Sequence, residues 1–372
     1  MAPYFGLYLK EQKFSLLEIA QLASLLMMTK IIAPLLWGSI ADKYHNSVLL
    51  VRVGAFMTLL SFLGFFFAST FWQYAFVIIA FSFFWNAILP QIEVITLFNL
   101  AGQQDRYGRV RLWGSVGFIF AVVFMGILFE KIGISSFPLV LLLITFFIWL
   151  TSLFRFHDPK YRAIKKNESS QRINQSFIKL LRDKNVTIFF IVCFLLQVSH
   201  GAYYTYFSIY LESLGYTKNS IGGLWGFGVI AEVIIFVVMH HWFERQNIKS
   251  IMFIALCLTA IRWYFTAQFA NVFVILVFLQ CLHAFSFGAM HSAAIKFVHQ
   301  VFESNNQGKA QALYSSAGFG AGGAVGAYSS GILVTNFSYE AAFIGSAIVI
   351  LFALILVVFM NNKTLRNNYF PQ

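Results

Sequence analysis

The sequence predicts an all-α polytopic membrane protein built as two pseudo-symmetric six-helix bundles, and three observations predict it. Of 372 residues, 59% are hydrophobic and 11% charged, with a mean hydropathy of +0.74, whereas soluble domains are about half apolar and about a quarter charged. Apolar runs of about 20 residues, the length that crosses a bilayer, recur along the whole chain. Finally, Tyr4, Phe5, Tyr8, Leu9, Ile19, Lys30 and Asp42-Lys43 return 202 positions later as Tyr206, Phe207, Tyr210, Leu211, Ile221, Glu232 and Glu244-Arg245. Self-similarity at half-chain spacing means one helical unit built twice, an arrangement that places a site at the seam between copies.

Eleven complete spans follow from where charge interrupts the apolar runs. In the first half they are 17–37, closed by Lys43, then 48–68 and 72–99, then 112–130 between Arg111 and Lys131, and 137–154, closed by Arg155. In the second half they are 186–211 after Lys184, 220–240 before Arg245, 250–270 after Lys249, 272–298, 311–334 after Lys309, and 338–360 before Lys363. Twenty of the 26 Lys and Arg residues lie in loops on one side, nine of them between Arg155 and Lys184. By the positive-inside rule that side is cytoplasmic, with the C-terminus inside and Met1 outside.

The repeat aligns Tyr4–Leu9 with the outer end of the span that opens the second half, so the expected fold has six plus six helices with the first helix largely missing from this chain. Residues 1–154 are then the N-terminal bundle, 155–185 a basic cytoplasmic linker, 186–360 the C-terminal bundle and 361–372 a cytoplasmic tail. Within the linker, Phe177, Ile178, Leu180 and Leu181 alternate with Lys179, Arg182 and Lys184, the pattern of a short amphipathic helix on the inner leaflet.

The net charge of +12 does not mark a nucleic-acid binder, because the basic residues lie between apolar runs and not on one folded face. Cys193, Cys257 and Cys281 sit inside apolar segments without a CxxC pair and read as buried small hydrophobes. A metal site is not expected either. His283 and His291 are eight residues apart, about 12 Å along a helix, too far to share one ion at ligand distance. No P-loop, nucleophile elbow or dinucleotide-binding glycine motif is present, which argues against an enzyme and against ATP-driven work by this chain alone.

Ionisable groups at membrane depth are costly unless paired or hydrated, so each is a candidate functional residue. They are Lys30, Glu93, His200, Glu232, Arg262, His283 and His291. Lys30 of the first copy falls at the repeat position of Glu232. Glu93 and Glu232 are the two carboxylates able to load and release a proton. Pro90, three residues before Glu93, interrupts the local backbone ladder, and Asn86 adds a polar group one turn earlier. Gln197 and His200, like Gln280 and His283, are three apart, so each helix presents a Gln and a His on one side. Gly318, Gly322 and Gly326 form two successive GxxxG steps suited to close helix contact, and Leu112–Phe118 echoes Leu313–Phe319 at an offset of 201.

The runs Tyr107-Gly108-Arg109-Val110-Arg111-Leu112-Trp113-Gly114-Ser115 and Gly228–Phe236 resemble the phenylpropionate permease branch of the major facilitator superfamily. So do His200-Gly201-Ala202-Tyr203-Tyr204, Arg262-Trp263, Leu282-His283 and Gln311–Ser315. Gly38, Asp42 and Lys43 look like the front half of the superfamily's loop motif, with His45-Asn46-Ser47 in place of its usual Gly-Arg-Lys ending, and Arg109 and Arg111 belong to the corresponding basic loop. The resemblance implies a major facilitator fold and a central cavity lined by the first and fourth helices of each half. It also implies proton-coupled uptake of a small-molecule substrate across a bacterial inner membrane by a monomer. The branch is related to lactose and nucleoside proton symporters. No cofactor beyond the proton gradient is implied.

Together these readings lead to a secondary transporter: a symporter for a small organic solute, an aromatic carboxylate before a sugar or nucleoside. The substrate-cavity candidates are Asn86, Gln197, His200, Arg262, Gln280 and His283, with Lys30 as the intramembrane charge partner. Drug efflux is the rival within transport. A membrane-embedded enzyme acting on lipid-like substrates is the rival outside it.

Overall fold

A computed structural model describes residues 2–44, 46–100, 107–154 and 177–361. Most of the expected linker, the tail beyond 361 and Met1 lie outside the described residues. In the first half, α1 (Ala2–Glu11) is followed by α2 (Leu16–Tyr44), α3 (Ser47–Leu63), α4 (Phe71–Asn99), α5 (Tyr107–Ile132) and α6 (Phe137–Ser152). In the second half, α7 (Lys184–Ser199) and α8 (Gly201–Ser213) continue one another across a break at His200. Next come α9 (Lys218–Arg245), α10 (Ile248–Phe269), α11 (Phe273–Cys281), α12 (Met290–Val301), α13 (Ser304–Tyr314), α14 (Gly323–Asn336) and α15 (Tyr339–Val358). Residues 177–181 are helical, on the segment expected to be amphipathic.

Among the described residues, ten helices are long and apolar enough to cross a membrane. The eleventh expected span, 311–334, falls on continuous helix that a π-type widening at Ser315–Gly322 divides into α13 and α14. A second widening, Ala284–Ala289, separates α11 from α12 directly after His283. Neither widening shows in hydropathy, because a π turn inserts a residue without changing the composition around it.

The sequence repeat is also a repeat of hydrogen bonds. After α1, backbone bonds run from Gln12 to Tyr8, Lys13 to Lys10 and Phe14 to Leu9; after α8 they run from Leu214 to Tyr210, Gly215 to Glu212 and Tyr216 to Leu211. All six positions in each set are related by 202. Both ends close as a Schellman turn, with Lys13 at φ 65° and Gly215 at φ 87°. Ser15 then accepts the Glu18 amide to open α2, as Thr217 accepts the Ser220 amide to open α9.

The packing repeats as well. In the first half α4 packs on α2 and α3, and α3 on α6; in the second, the α11–α12 stretch packs on α9, and α10 on α15. Between halves α5 lies along α9, α14 along α2 and α1 along α8. Glycines let backbones meet at these seams. A Cβ on Gly222 would stand 2.7 Å from the Val122 carbonyl, and one on Gly320 2.7 Å from the Ile31 side chain. The GxxxG glycines serve the second half's own interior: Gly322 and Gly326 face the Phe194 and Val198 carbonyls of α7. Toward the far ends of α2 and α5, Gly38 and Gly117 have no neighbour within 4 Å. Tyr4–Leu9 of α1 are buried throughout, whereas residues 109–114 of α5 are exposed on every side, so the seams are closed at the α1 end and spread toward Arg111, which leaves a crevice.

Basic side chains finish two corresponding helices. Arg52 donates to the carbonyls of Ser152, Leu153 and Phe154 after α6, and Lys249 to those of Val358 and Met360 after α15. Cations at carbonyl-rich helix ends are favoured by the helix dipole.

Candidate functional site

Two adjoining features make up the site. The first is a cavity of about 330 Å³ between α1 and α2 of one half and α8, α14 and the widened turns of the other. Its wall is largely apolar, with Phe5, Met27, Tyr204, Phe287 and Phe319 as its large side chains. Gln197, Thr205 and Lys30 are its polar members. The repeat sets Lys30 in the middle of α2, and the α2–α14 contact at Met27, Ile31 and Gly320 turns it inward. Its side chain is half-buried, and among the described residues no carboxylate lies within ion-pair distance of its ammonium. A cation held this way, beside aromatic walls, offers a charge to something that is not protein.

The second feature is a buried network. Arg262 of α10 is 1% exposed. Its Nη1 donates to His283 Nδ1 at 3.0 Å and to Ser286 Oγ at 3.0 Å, and Nη2 reaches Gln280 Oε1 at 3.4 Å. The guanidinium stacks between the rings of Tyr203 and Trp263, 4.4 and 4.3 Å from their centroids, so cation–π attraction takes the place of a counter-carboxylate. Tyr203 Oη donates to Gln280 Oε1 at 3.0 Å. Guanidinium N–H groups only donate, so His283 Nδ1 must accept, and the imidazole is neutral with its proton on Nε2. That nitrogen faces Glu232 Oε2 at 3.7 Å. Gly228, one turn before Glu232, makes room: a Cβ there would sit 3.1 Å from Gln280 Oε1.

The structure thus brings together Glu232, His283, Gln280 and Arg262, and places His200 beside them with its ring 6.5 Å from that of His283. His200 Nδ1 bonds the Leu196 carbonyl at 2.8 Å, which fixes the tautomer at the break between α7 and α8. Gln197 faces the cavity, so the two expected Gln/His pairs meet around one core. Lys30 and Glu232 do not pair; Glu232 has His283 as its neighbour, and Lys30 faces the cavity. Asn86 lies elsewhere, donating to Thr29, whose hydroxyl donates to Ser82.

Glu93 is apart from this cluster, beside Tyr107 near the crevice mouth. Burial, then the Glu93 carboxylate, push the Tyr107 hydroxyl above its ordinary range against the opposing pull of Arg111. Arg111 also acts electrostatically on Glu232 and His291. Arg109 and Lys43 are exposed, Gly38 opens onto empty space, and the Asp42 side chain lies outside the described residues. Tyr203, Ser286 and the cavity aromatics Phe287 and Phe319 were not singled out as site residues from the sequence. The one signal for Tyr203 is its place in the His200–Tyr204 run, for Phe319 its place in the repeated run Leu313–Phe319, and for Ser286 and Phe287 proximity to His283. No group of three His, Cys, Asp or Glu converges for a metal among the described residues.

Two bundles closing on a cavity that holds a cation without a carboxylate partner among the described residues, with a partly buried acid and a buried histidine beside it, define a secondary transporter of the major facilitator fold. The chain belongs to the MFS_1 like family, which it matches over residues 1–345. It is 26% identical over 326 residues, 86% of this chain and 82% of the relative, to an Escherichia coli (strain K12) protein described as "Probable 3-phenylpropionic acid transporter". It is 24% identical to the maltose permease of Geobacillus stearothermophilus, over 86% of this chain and 80% of that one. A crystal structure of a mutant of the nucleoside transporter NupG superposes with a TM-score of 0.85 at 20% identity, covering 96% of both chains, which is a likeness of fold. The chain is a multi-pass membrane protein whose relatives are transporters and not enzymes.

Proposed function

We propose that this chain is a proton-coupled symporter that takes a small organic anion with an aromatic body across a bacterial inner membrane by alternating access. Lys30 carries the reading: its ammonium has no carboxylate partner among the described residues and shares a cavity with Phe5, Tyr204, Phe287 and Phe319. An aryl carboxylate would place its charge on Lys30 and its ring among these side chains. The 3-phenylpropionic acid named for one relative has that chemistry; the nucleoside and maltose named for others lack the charge.

Glu232 is the proposed coupling group. Protonated, it loses its attraction for the His283 N–H within the second half and for Arg111 of α5 across the seam, which loosens the contact between halves; ionised, it regains both. Glu93, at the crevice mouth, is the second candidate. Arg262 acts as a positioning residue that holds His283 in one tautomer. The basic loops, by the positive-inside rule, face the cytoplasm.

The test is accumulation of labelled 3-phenylpropanoate in proteoliposomes under an imposed pH gradient, with uridine and maltose as competitors. Accumulation should follow the proton inward and resist both competitors. Glu232→Gln should abolish accumulation while leaving exchange, and Glu93→Gln separates the two candidates. Solute movement opposite to the proton would establish efflux. Unchanged accumulation in both variants would remove proton coupling from these sites.

A further inference from the structure

At the end of the bundle opposite Arg111, four charged groups link the two halves in series. Lys10, at the end of α1, pairs with Glu212 of α8 at 3.1 Å. Glu212 also meets the Lys218 ammonium, at the start of α9, at 3.7 Å. The backbone N–H of Lys218 donates to Glu130 of α5 at 2.7 Å. The series thus begins in the first half at Lys10, passes through the second, and returns to the first at Glu130. Glu130 supplies across the seam what an N-terminal helix turn needs, a carboxylate on a free amide at the positive end of the helix dipole.

Beneath this layer the same helices are joined by two tyrosines. Tyr206 donates to the Leu16 carbonyl at 2.6 Å across the seam, and Tyr4, which fills the space beside Gly222 of α9, donates to the Val122 carbonyl at 2.7 Å within the first half. Lys10 and Glu212, like Tyr4 and Tyr206, are 202 positions apart, so both layers lie where the two copies meet. Opening the cavity at this end moves α1, α2 and α5 away from α8 and α9, which breaks the three bonds that cross the seam together: Lys10 to Glu212, the Lys218 N–H to Glu130, and Tyr206 to the Leu16 carbonyl.

We propose that Lys10, Glu212, Lys218 and Glu130 form an electrostatic latch that holds this end of the transporter shut and must break for the cavity to open there. Its members are partly exposed: the Lys10 and Glu212 side chains are 41% and 31% accessible. Such pairs are weak one at a time, and weakness suits a latch that opens in every cycle. An equilibrium whose minor state is populated at about 0.1–10% responds several-fold to a change of that size. The latch rests on the two-state cycle of the proposed function but not on the identity of its solute.

The test needs no solute. Cys193, Cys257 and Cys281 are replaced by alanine, and Ala23→Cys, on the cavity wall, reports opening to a membrane-impermeant maleimide added to intact cells. Labelling should be slow in this background and about three- to tenfold faster with Glu212→Gln or Glu130→Gln, the range one weakened surface contact gives. Lys10→Gln combined with Glu212→Gln should add little to Glu212→Gln alone, because they remove the same bond. A second readout is independent of rate. Bridging Lys10→Cys to Glu212→Cys with a short thiol cross-linker should stop transport, and a cleavable linker should restore it on reduction. Labelling unchanged in both Gln variants would overturn the latch, as would transport at the full rate with the bridge in place. Fast labelling of the parent background would instead show that this end stands open, and would overturn the orientation drawn from the charge bias.

Discussion

At the repeat spacing of 202, Leu60 of the first half stands where Arg262 stands in the second, and at 201 Ser82 stands where His283 stands. The second half's interior is a charged, interconnected network: guanidinium, imidazole, amide and hydroxyl, stacked on two aromatic rings. The first half has a short polar chain at the corresponding place, Asn86 to Thr29 to Ser82, and leaves its cation, Lys30, facing the cavity. One backbone plan has thus been given two duties. Where the charges are tied to each other, their removal should damage the protein. Where the charge is untied, its removal should damage only what it binds.

The largest expected effect lies in the network. Arg262→Leu leaves His283 and Ser286 without their donor in a dry interior, and Gln280 with Tyr203 alone, at about 3–5 kcal/mol of stability. It should appear as a large fall in thermal midpoint in detergent together with lost transport. The reverse substitution, Leu60→Arg, has no acceptors waiting for it and should fold poorly. Equal tolerance of both would erase the difference between halves.

Lys30→Met tests the other side of the comparison. Losing a charge-assisted contact should raise the half-saturation concentration for an aryl carboxylate about ten- to a hundredfold, equivalent to roughly 1.4–3 kcal/mol. Stability should hold or rise, because a partly buried ammonium no longer has to be desolvated. A drop in thermal midpoint comparable to that of Arg262→Leu would show that Lys30 is structural after all.

These expectations mark how far the sequence is legible. Spans, the duplication and the inward disposition of scarce charges follow from hydropathy and spacing, because burying an unpaired charge in lipid is costly wherever it falls. Which partner each charge meets depends on how each helix is rotated and on local changes of pitch. The π-type turn after His283 and the break at His200 help set those rotations, and neither leaves a compositional trace. Hence Lys30 and Glu232 read as a pair from their matching repeat positions, whereas Glu232 lies against His283. Glu93 reads with Glu232 as a membrane carboxylate, yet the length of α4 carries it to the crevice mouth beside Tyr107.

Glycines on corresponding helices sharpen the comparison at smaller scale. Gly326 of α14 packs its Cα hydrogens on the Val198 carbonyl, so Gly326→Ala should cost about 1–3 kcal/mol by overpacking, less the roughly 1 kcal/mol that alanine gains as a helix former. Gly117 of α5 has open space around it. There the gain stands alone, and Gly117→Ala should raise stability by roughly 0.5–1 kcal/mol. Thermal midpoints moving in opposite directions would show that Gly326 closes a helix contact and Gly117 does not.

The smallest effect concerns the turn both copies share. Lys13 and Gly215 hold the same position in the same hydrogen-bond pattern, both left-handed, at φ 65° and 87°. A side chain in that conformation crowds the following carbonyl at roughly 1–2 kcal/mol, while glycine brings greater freedom to the unfolded chain, roughly 0.5–1 kcal/mol. The difference favours glycine, so Lys13→Gly should stabilise by roughly 0.5–1 kcal/mol and Gly215→Lys destabilise by a similar amount. Both turns are exposed and distant from the cavity, so affinity for solute should stay constant in each variant. If Lys13→Gly instead lowers the thermal midpoint, the Lys13 side chain makes a contact whose value exceeds the backbone strain, and the two turns are alike in shape but not in what holds them.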